Sequence, residues 1–112
     1  MKIEKSIRYY SSGNIWHEWW YYNMHYWHRE DGPADIYYYE SGKVSYEAWW
    51  VNDKRHRIDG PAWAEYDEDG TISNEYYYIN DIRLTKEKWE DHPLRQEYLI
   101  KEAMKEALEC KE

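Results

Sequence analysis

The chain of 112 residues contains no Phe, one Cys, three Pro and five Gly. Each shortage removes a class of explanation. The single cysteine, Cys110, cannot form a disulfide within the chain, and such usage is that of a reducing compartment. Branched aliphatics are scarce, with nine Ile, four Leu and two Val. No apolar run approaches the roughly 18 residues that a membrane-spanning helix needs. The opening MKIEKSIRYY lacks the apolar stretch of a secretory leader. A cytoplasmic protein without a membrane is therefore expected. Basic residues are also short: 15 Lys and Arg stand against 23 Asp and Glu, a net charge of −8. That balance disfavours binding to nucleic-acid phosphates and favours a basic partner.

Few aliphatics and high net charge would ordinarily leave a chain disordered. Fourteen Tyr and eight Trp reverse this, because each ring buries a large area when packed. Rings with a polar tip suit positions half buried and half wet, as on a thin sheet or a recognition surface.

The organisation lies in a repeat. HREDGPA occupies positions 28–34 and HRIDGPA positions 56–62. Gly13, Gly42 and Gly70 recur at spacings of 29 and 28, each followed five residues later by Glu18, Glu47 and Glu75, and five after that by Asn23, Asn52 and Asn80. A fixed period of this size marks a stacked array whose units need neighbours to bury a face. Each unit reads as two strands around a glycine turn, DIYYYE and WAEYDE leading in, with IWHEWWYYN, VSYEAWWVN and ISNEYYYIN leading out. The prediction is a mainly β protein with a C-terminal α part: an antiparallel sheet of five or six strands in serial hairpins over residues 1–84, closed by two helices over 85–112. Thr85 and Glu87 signal a helix start, and Pro93 separates it from a second helix. That helix carries Leu99, Ile100, Ala103, Met104, Ala107 and Leu108 as one apolar stripe, expected to cover an end or face of the sheet, or else to bind a partner.

The duplicated phrase reads best as a structural turn. Asp31 and Asp59 can accept backbone amides, Gly32 and Gly60 allow unusual φ, and Pro33 and Pro61 fix the strand entry. Arg29 and Arg57 can pair with those aspartates or with the recurrent glutamates, and His28 and His56 open the phrase. His-Arg-x-Asp is a false match to a kinase catalytic loop, since nothing else in the chain serves a nucleotide. His25 and His28, with His17, Glu18 and His56, are the nearest approach to a zinc set, but no spacing makes them converge. No Ser sits in a nucleophile elbow and no pair of acids stands out, so neither catalysis, a metal nor a cofactor is expected.

Units of the form Asn-x-x-x-His-Arg-x-Asp-Gly-Pro-Ala, followed by Tyr, Gly and Glu-x-Tyr/Trp, resemble a repeat found in proteins of bacteriophages and giant DNA viruses. They are similar in layout to variant MORN repeats, which are also serial β-hairpins. The resemblance covers about positions 6 to 84. Met24, Asp53 and Asp81 depart from it, standing where the family usually has Gly. It implies an elongated hairpin sheet and an interaction role, with no catalytic residues.

Alternation divides the strands into two faces. Glu18, Trp20 and Tyr22 match Glu47, Trp49 and Val51, then Glu75, Tyr77 and Ile79; such sameness is what stacking demands. The other face differs from unit to unit and supplies the candidate binding residues His17, Trp19, Tyr21, Tyr37, Tyr39, Tyr46, Trp50, Glu65, Asp67, Tyr76 and Tyr78. Either this face recognises a protein or it packs under the C-terminal helix. Three functions compete. The first is a non-catalytic, virus-encoded inhibitor that occupies a basic surface of a host defence protein such as a nuclease. The second is a nucleotide-sequestering protein with phosphate cations drawn from Arg8, Lys43, Lys54, Arg55, Arg57 and Arg83. The third is a structural homodimer or larger homo-oligomer assembled through exposed sheet edges.

Overall fold

The three repeated glycines set the strand lengths. Gly13, Gly42 and Gly70 take φ of +94°, +95° and +90°, conformations that cost an L side chain energy. In each turn the glycine amide donates to the carbonyl three residues back, at Tyr10 (3.0 Å), Tyr39 (2.9 Å) and Asp67 (2.9 Å). In the computed structural model, which describes residues 2–109, the strands are β1 (Glu4–Tyr9), β2 (Ile15–Tyr22), β3 (Tyr26–Trp27), β4 (Asp35–Tyr38) and β5 (Val44–Ala48), then β6 (Trp50–Val51), β7 (Lys54–Arg55), β8 (Trp63–Tyr66), β9 (Ile72–Ile79) and β10 (Ile82–Leu84). The main antiparallel sheet runs β1-β2-β4-β5-β8-β9-β10, with β3 on the far end of β2 and β6–β7 as a separate ribbon.

The expected mainly β architecture with C-terminal helices is present, but the strands number ten among the described residues. The sequence pattern does not announce β1, because EKSIRY mixes charged and apolar residues without a clear period. The short ribbons arise at the asparagines. Asn23 and Met24, Asn52 and Asp53, and Asn80 and Asp81 all have positive φ, from 47° to 68°. Two successive left-handed residues make the tight turn that matches strand twist. The turns therefore form although Met24, Asp53 and Asp81 are not glycine.

One face of the sheet is the core. Along it Glu18, Ile36, Glu47, Ala64 and Glu75 stand in register across successive strands. Tyr38 donates its hydroxyl to Glu18 at 2.5 Å and Tyr66 to Glu47 at 2.7 Å, so the first two recurrent glutamates are satisfied by the next unit, while Glu75 accepts from Tyr77 of its own strand at 3.2 Å. These acids press the phenols upward, after burial itself: Tyr66 is pushed up to about 12. The same face ends on α1 (Lys86–Glu90), where Trp89, 4% exposed, packs with Tyr77, Ile79 and Leu84. Thr85 caps that helix by accepting from the Lys88 amide at 3.2 Å. The indole of Trp89 donates to the Arg57 carbonyl at 2.9 Å, and α1 thereby closes the last unit.

Two expectations fail here. The C-terminal helices do not cover the variable face, because Trp89 packs on the core face. The long helix α2 (Pro93–Glu109) buries none of its residues, so its apolar stripe covers no part of the sheet. Periodicity reports that a helix has an apolar side; it does not report what lies against it. Cys110 falls outside the described residues.

Candidate functional site

The phrase and the variable face are the two candidates, and their geometries differ in kind. In the phrase the histidines and arginines are taken up within the array. His28 Nδ1 accepts the Asn52 amide at 2.8 Å and His56 Nδ1 accepts the Asn80 amide at 3.0 Å, so each histidine holds the following turn. Arg29 donates to Asp31 (2.9 Å) and the Pro33 carbonyl (3.2 Å), with its guanidinium 3.8 Å from the Trp20 ring. Arg57 repeats this with Asp59 (2.7 Å), the Pro61 carbonyl (3.1 Å) and Trp49 (3.9 Å). The arginines choose the aspartates over the recurrent glutamates. The bond from Arg29, then its charge, holds the Asp31 carboxyl below its usual range.

Gly32 and Gly60 correct the expected reason for glycine. Neither has positive φ; a Cβ would instead meet the guanidinium carbon, at 2.8 Å from Arg29 and 2.7 Å from Arg57. Each guanidinium is held between a glycine and a tryptophan, and glycine is there to leave it room. Asp53 and Asp81 add a further link between units. Asp53 accepts from the Trp27 amide (3.2 Å) and returns its own amide to the Trp27 carbonyl (2.8 Å). Asp81 does the same with Arg55 (3.3 and 2.8 Å), and among the described residues Met24 makes no such bond.

The variable face is open, with a continuous row of rings. Register places Arg8, His17, Tyr37, Tyr46, Glu65 and Asn74 side by side on β1, β2, β4, β5, β8 and β9. His17 is stacked 3.8 Å from Tyr37 and 4.3 Å from Trp19. Tyr37 meets Tyr46 edge-on at 5.5 Å, and Tyr46 meets Trp63 at 4.8 Å. Arg8 closes one end over Trp19 (5.3 Å), and Arg83 the other over Tyr76 (4.3 Å). A second row holds Trp27 against Trp50 (6.1 Å), with Arg55 over both Trp50 (5.7 Å) and Tyr78 (4.4 Å). Tyr21 lies on the same face of β2, its hydroxyl 3.0 Å from that of Ser6.

Beneath the rings lies a buried ionisable pair. His17 and Asp35 are 8% and 7% exposed, and the histidine Nε2 donates to Asp35 Oδ1 at 2.5 Å. Burial pushes the Asp35 carboxyl upward against the opposing pull of His17. Tyr46 beside it is pushed above the usual phenol range, by burial first and by the Asp35 charge second.

Of the eleven binding candidates, the structure brings Trp19, Tyr21, Tyr37, Tyr46, Trp50, Glu65 and Tyr76 onto this face. His17 and Tyr78 belong to it but are buried. Tyr39 and Asp67 leave it. They stand one residue past the ends of β4 and β8, where the chain enters the hairpin turns, while the extra residues of the two bulges, Ser45 and Ser73, lie on the partner strands. Tyr39 is spent as a staple, donating to the Tyr66 carbonyl at 2.6 Å as Tyr10 does to Tyr38. Asp67 is the third equivalent and ends in its hairpin turn, its amide donating to the Thr71 carbonyl at 2.8 Å. Asp35, Trp63 and Trp27 were missed. Stepping the alternation back two residues from Tyr37 and Glu65 would have reached the first two. Among the described residues no group of three His, Cys, Asp or Glu converges as a metal site, and no helix is long and apolar enough to cross a membrane.

No protein-family model, curated protein or solved structure matches the chain.

Proposed function

We propose that the chain is a non-catalytic protein-recognition module whose working surface is the open aromatic face. The observation that supports this reading is that the face stays uncovered while the opposite one receives α1. Its residues are almost all Trp, Tyr and Arg, the types in which interface hot spots are enriched. Stacking already holds these side chains in place, so little conformational freedom remains to be lost on association. The acids are Glu65 within the row, Asp35 buried beneath it, and Asp67, Glu68 and Asp69 at the adjoining hairpin tip. An aromatic centre with an acidic rim suits a partner with a basic rim. A protein that occupied such a surface would block nucleic acid from reaching it, which is how an inhibitor of a host nuclease would act.

The test is affinity capture from bacterial lysate with quantitative mass spectrometry. The wild-type chain should retain a protein with a basic surface, and Trp19→Ala and Trp63→Ala should release it while Ile100→Asp on α2 should not. Capture that survives both face substitutions in folded protein would overturn the reading.

One observation favours a small anionic ligand instead. Among the described residues Arg8 and Arg83 make no ion pair, and Arg83 lines a shallow depression of about 260 Å³ with Arg55, Trp63, Tyr76, Tyr78 and one acid, Glu65. Ligand pockets usually hold about 300 Å³ or more, so this favours a fragment over a whole nucleotide. Native mass spectrometry that finds a nucleotide retained by the wild type and lost on Arg83→Ala would move the assignment.

A further inference from the structure

We propose that the outward stripe of α2 is a pairing seam for a second copy of this chain, the two helices lying parallel. The helix runs 17 residues without burying one of them. Leu99, Ile100, Met104 and Leu108 are 41%, 60%, 62% and 69% exposed. A helix of this length is marginal in water unless an apolar side is packed. Its attachment to the body is confined to its beginning. Arg95 donates to the Ile58 carbonyl at 2.7 Å and stacks over Trp89 at 4.4 Å, while Leu94 and Tyr98 border a depression with His56 and Ile58. At about 100° per residue, the stripe is turned about 120° away from Leu94 and Tyr98. It therefore faces away from its own sheet.

Charge selects the occupant. The whole chain carries −8, yet α2 has Arg95, Lys101 and Lys105 against Glu97, Glu102, Glu106 and Glu109. Three positive and four negative residues leave this segment near neutrality, so two copies can approach here without the repulsion their sheets would feel. The two edges of the stripe also differ in sign. On the helical projection Lys101, which also lines the depression beside His56 and reaches Glu97 at 3.0 Å, and Lys105 border one edge, and Glu102 and Glu106 the other. In a two-fold parallel pair each edge meets the opposite edge of the partner, which brings lysines to glutamates. An antiparallel pair would bring like edges together. Ala103 and Ala107 in the middle leave room for the helices to come close. The apolar stretch from Leu99 to Leu108 is about 15 Å long, so the seam is small and association should fall near the micromolar range.

Sedimentation equilibrium of the full chain from about 1 to 200 µM provides the test, read beside native mass spectrometry. The wild type should dimerise. Lys101→Glu with Lys105→Glu makes both edges acidic, and Glu102→Lys with Glu106→Lys makes both basic. Each double variant should self-associate at least about tenfold more weakly. An equimolar mixture of the two should recover dimers, and these should be mixed. All four positions are exposed, so the melting curve of the sheet should not move and serves as the folding control. A wild-type monomer throughout the range overturns the proposal, even if α2 captures some other protein. Variants that dimerise as well as the wild type overturn it too.

Discussion

Gly60→Ala isolates the physical reason for the glycine in the repeated phrase. The backbone there is not left-handed, so the methyl group brings no φ strain. What it brings is a Cβ 2.7 Å from Arg57 Cζ and 2.9 Å from both terminal nitrogens, all on one side chain. The guanidinium must leave, giving up its bonds to Asp59 (2.7 Å) and Pro61 (3.1 Å) and its place 3.9 Å from the Trp49 ring. The cation–π contact contributes about 1 kcal/mol. The two partly exposed hydrogen bonds add about 1–2 kcal/mol together. Lower backbone entropy of Ala in the unfolded chain returns up to about 1 kcal/mol. The net cost is about 2 kcal/mol, or a fall of about 10 °C in melting temperature for a domain of this size.

Calorimetry of four proteins decides it: wild type, Gly60→Ala, Arg57→Ala and the double variant. Once Arg57 is gone, the three atoms nearest the added methyl are gone with it. Gly60→Ala should then cost less than about 0.5 kcal/mol, so the two sites should show a coupling of about 1.5–2 kcal/mol. Equal costs in both backgrounds would refute the steric reasoning.

His56 makes the fold sensitive to acid. Its Nδ1 accepts the Asn80 amide, and burial followed by the nearby His92 charge lowers its pKa from 6.5. The unfolded chain therefore takes up the proton first, so this stability is present above pH 6.5 and is lost as pH falls through the lowered folded value. The melting temperature of wild type should drop more steeply below pH 6.5 than that of His56→Gln, and parallel profiles would contradict this. Met24, 82% exposed and at φ 66° without a compensating bond, should be improved by Gly, with about 1 kcal/mol gained in urea unfolding. Trp89→Ala should cost about 3–5 kcal/mol by the same measurement, because the indole fills the end of the core and caps the Arg57 carbonyl. An unchanged midpoint would show that α1 does not belong to the cooperative unit.

The repeat and its turns were legible because Gly13, Gly42 and Gly70 must occupy positive φ, and no other residue does so as cheaply. The open face was legible as far as strict alternation holds, through Trp19, Tyr37, Tyr46 and Glu65. It failed at Tyr39 and Asp67, which stand just past the ends of β4 and β8, where the backbone has left the strand for the hairpin turn and alternation no longer applies. Pattern could not distinguish Gly42, required by its dihedral, from Gly60, required by a neighbouring guanidinium, since both are written as a turn glycine that follows a polar residue. The free stripe of α2 was visible, but its lack of a partner within the chain was not.

The serial hairpin order bears on how the chain reaches this structure. Each long strand pairs with strands nearby in sequence, so loop closure is cheap and rapid folding is favoured over a slow search for distant partners. The hazard in such a chain is frameshift: two near-identical phrases invite a hairpin to dock one unit out of place. The units carry a safeguard against this. Between its asparagine and its histidine the first unit has four residues, Met24 to Trp27, and the second only three, Asp53 to Arg55. A displaced unit would meet a connector of the wrong length, and its histidine would miss the amide it has to accept. The irregularity in an otherwise regular array is thus expected to favour the native order of units over a frameshifted one.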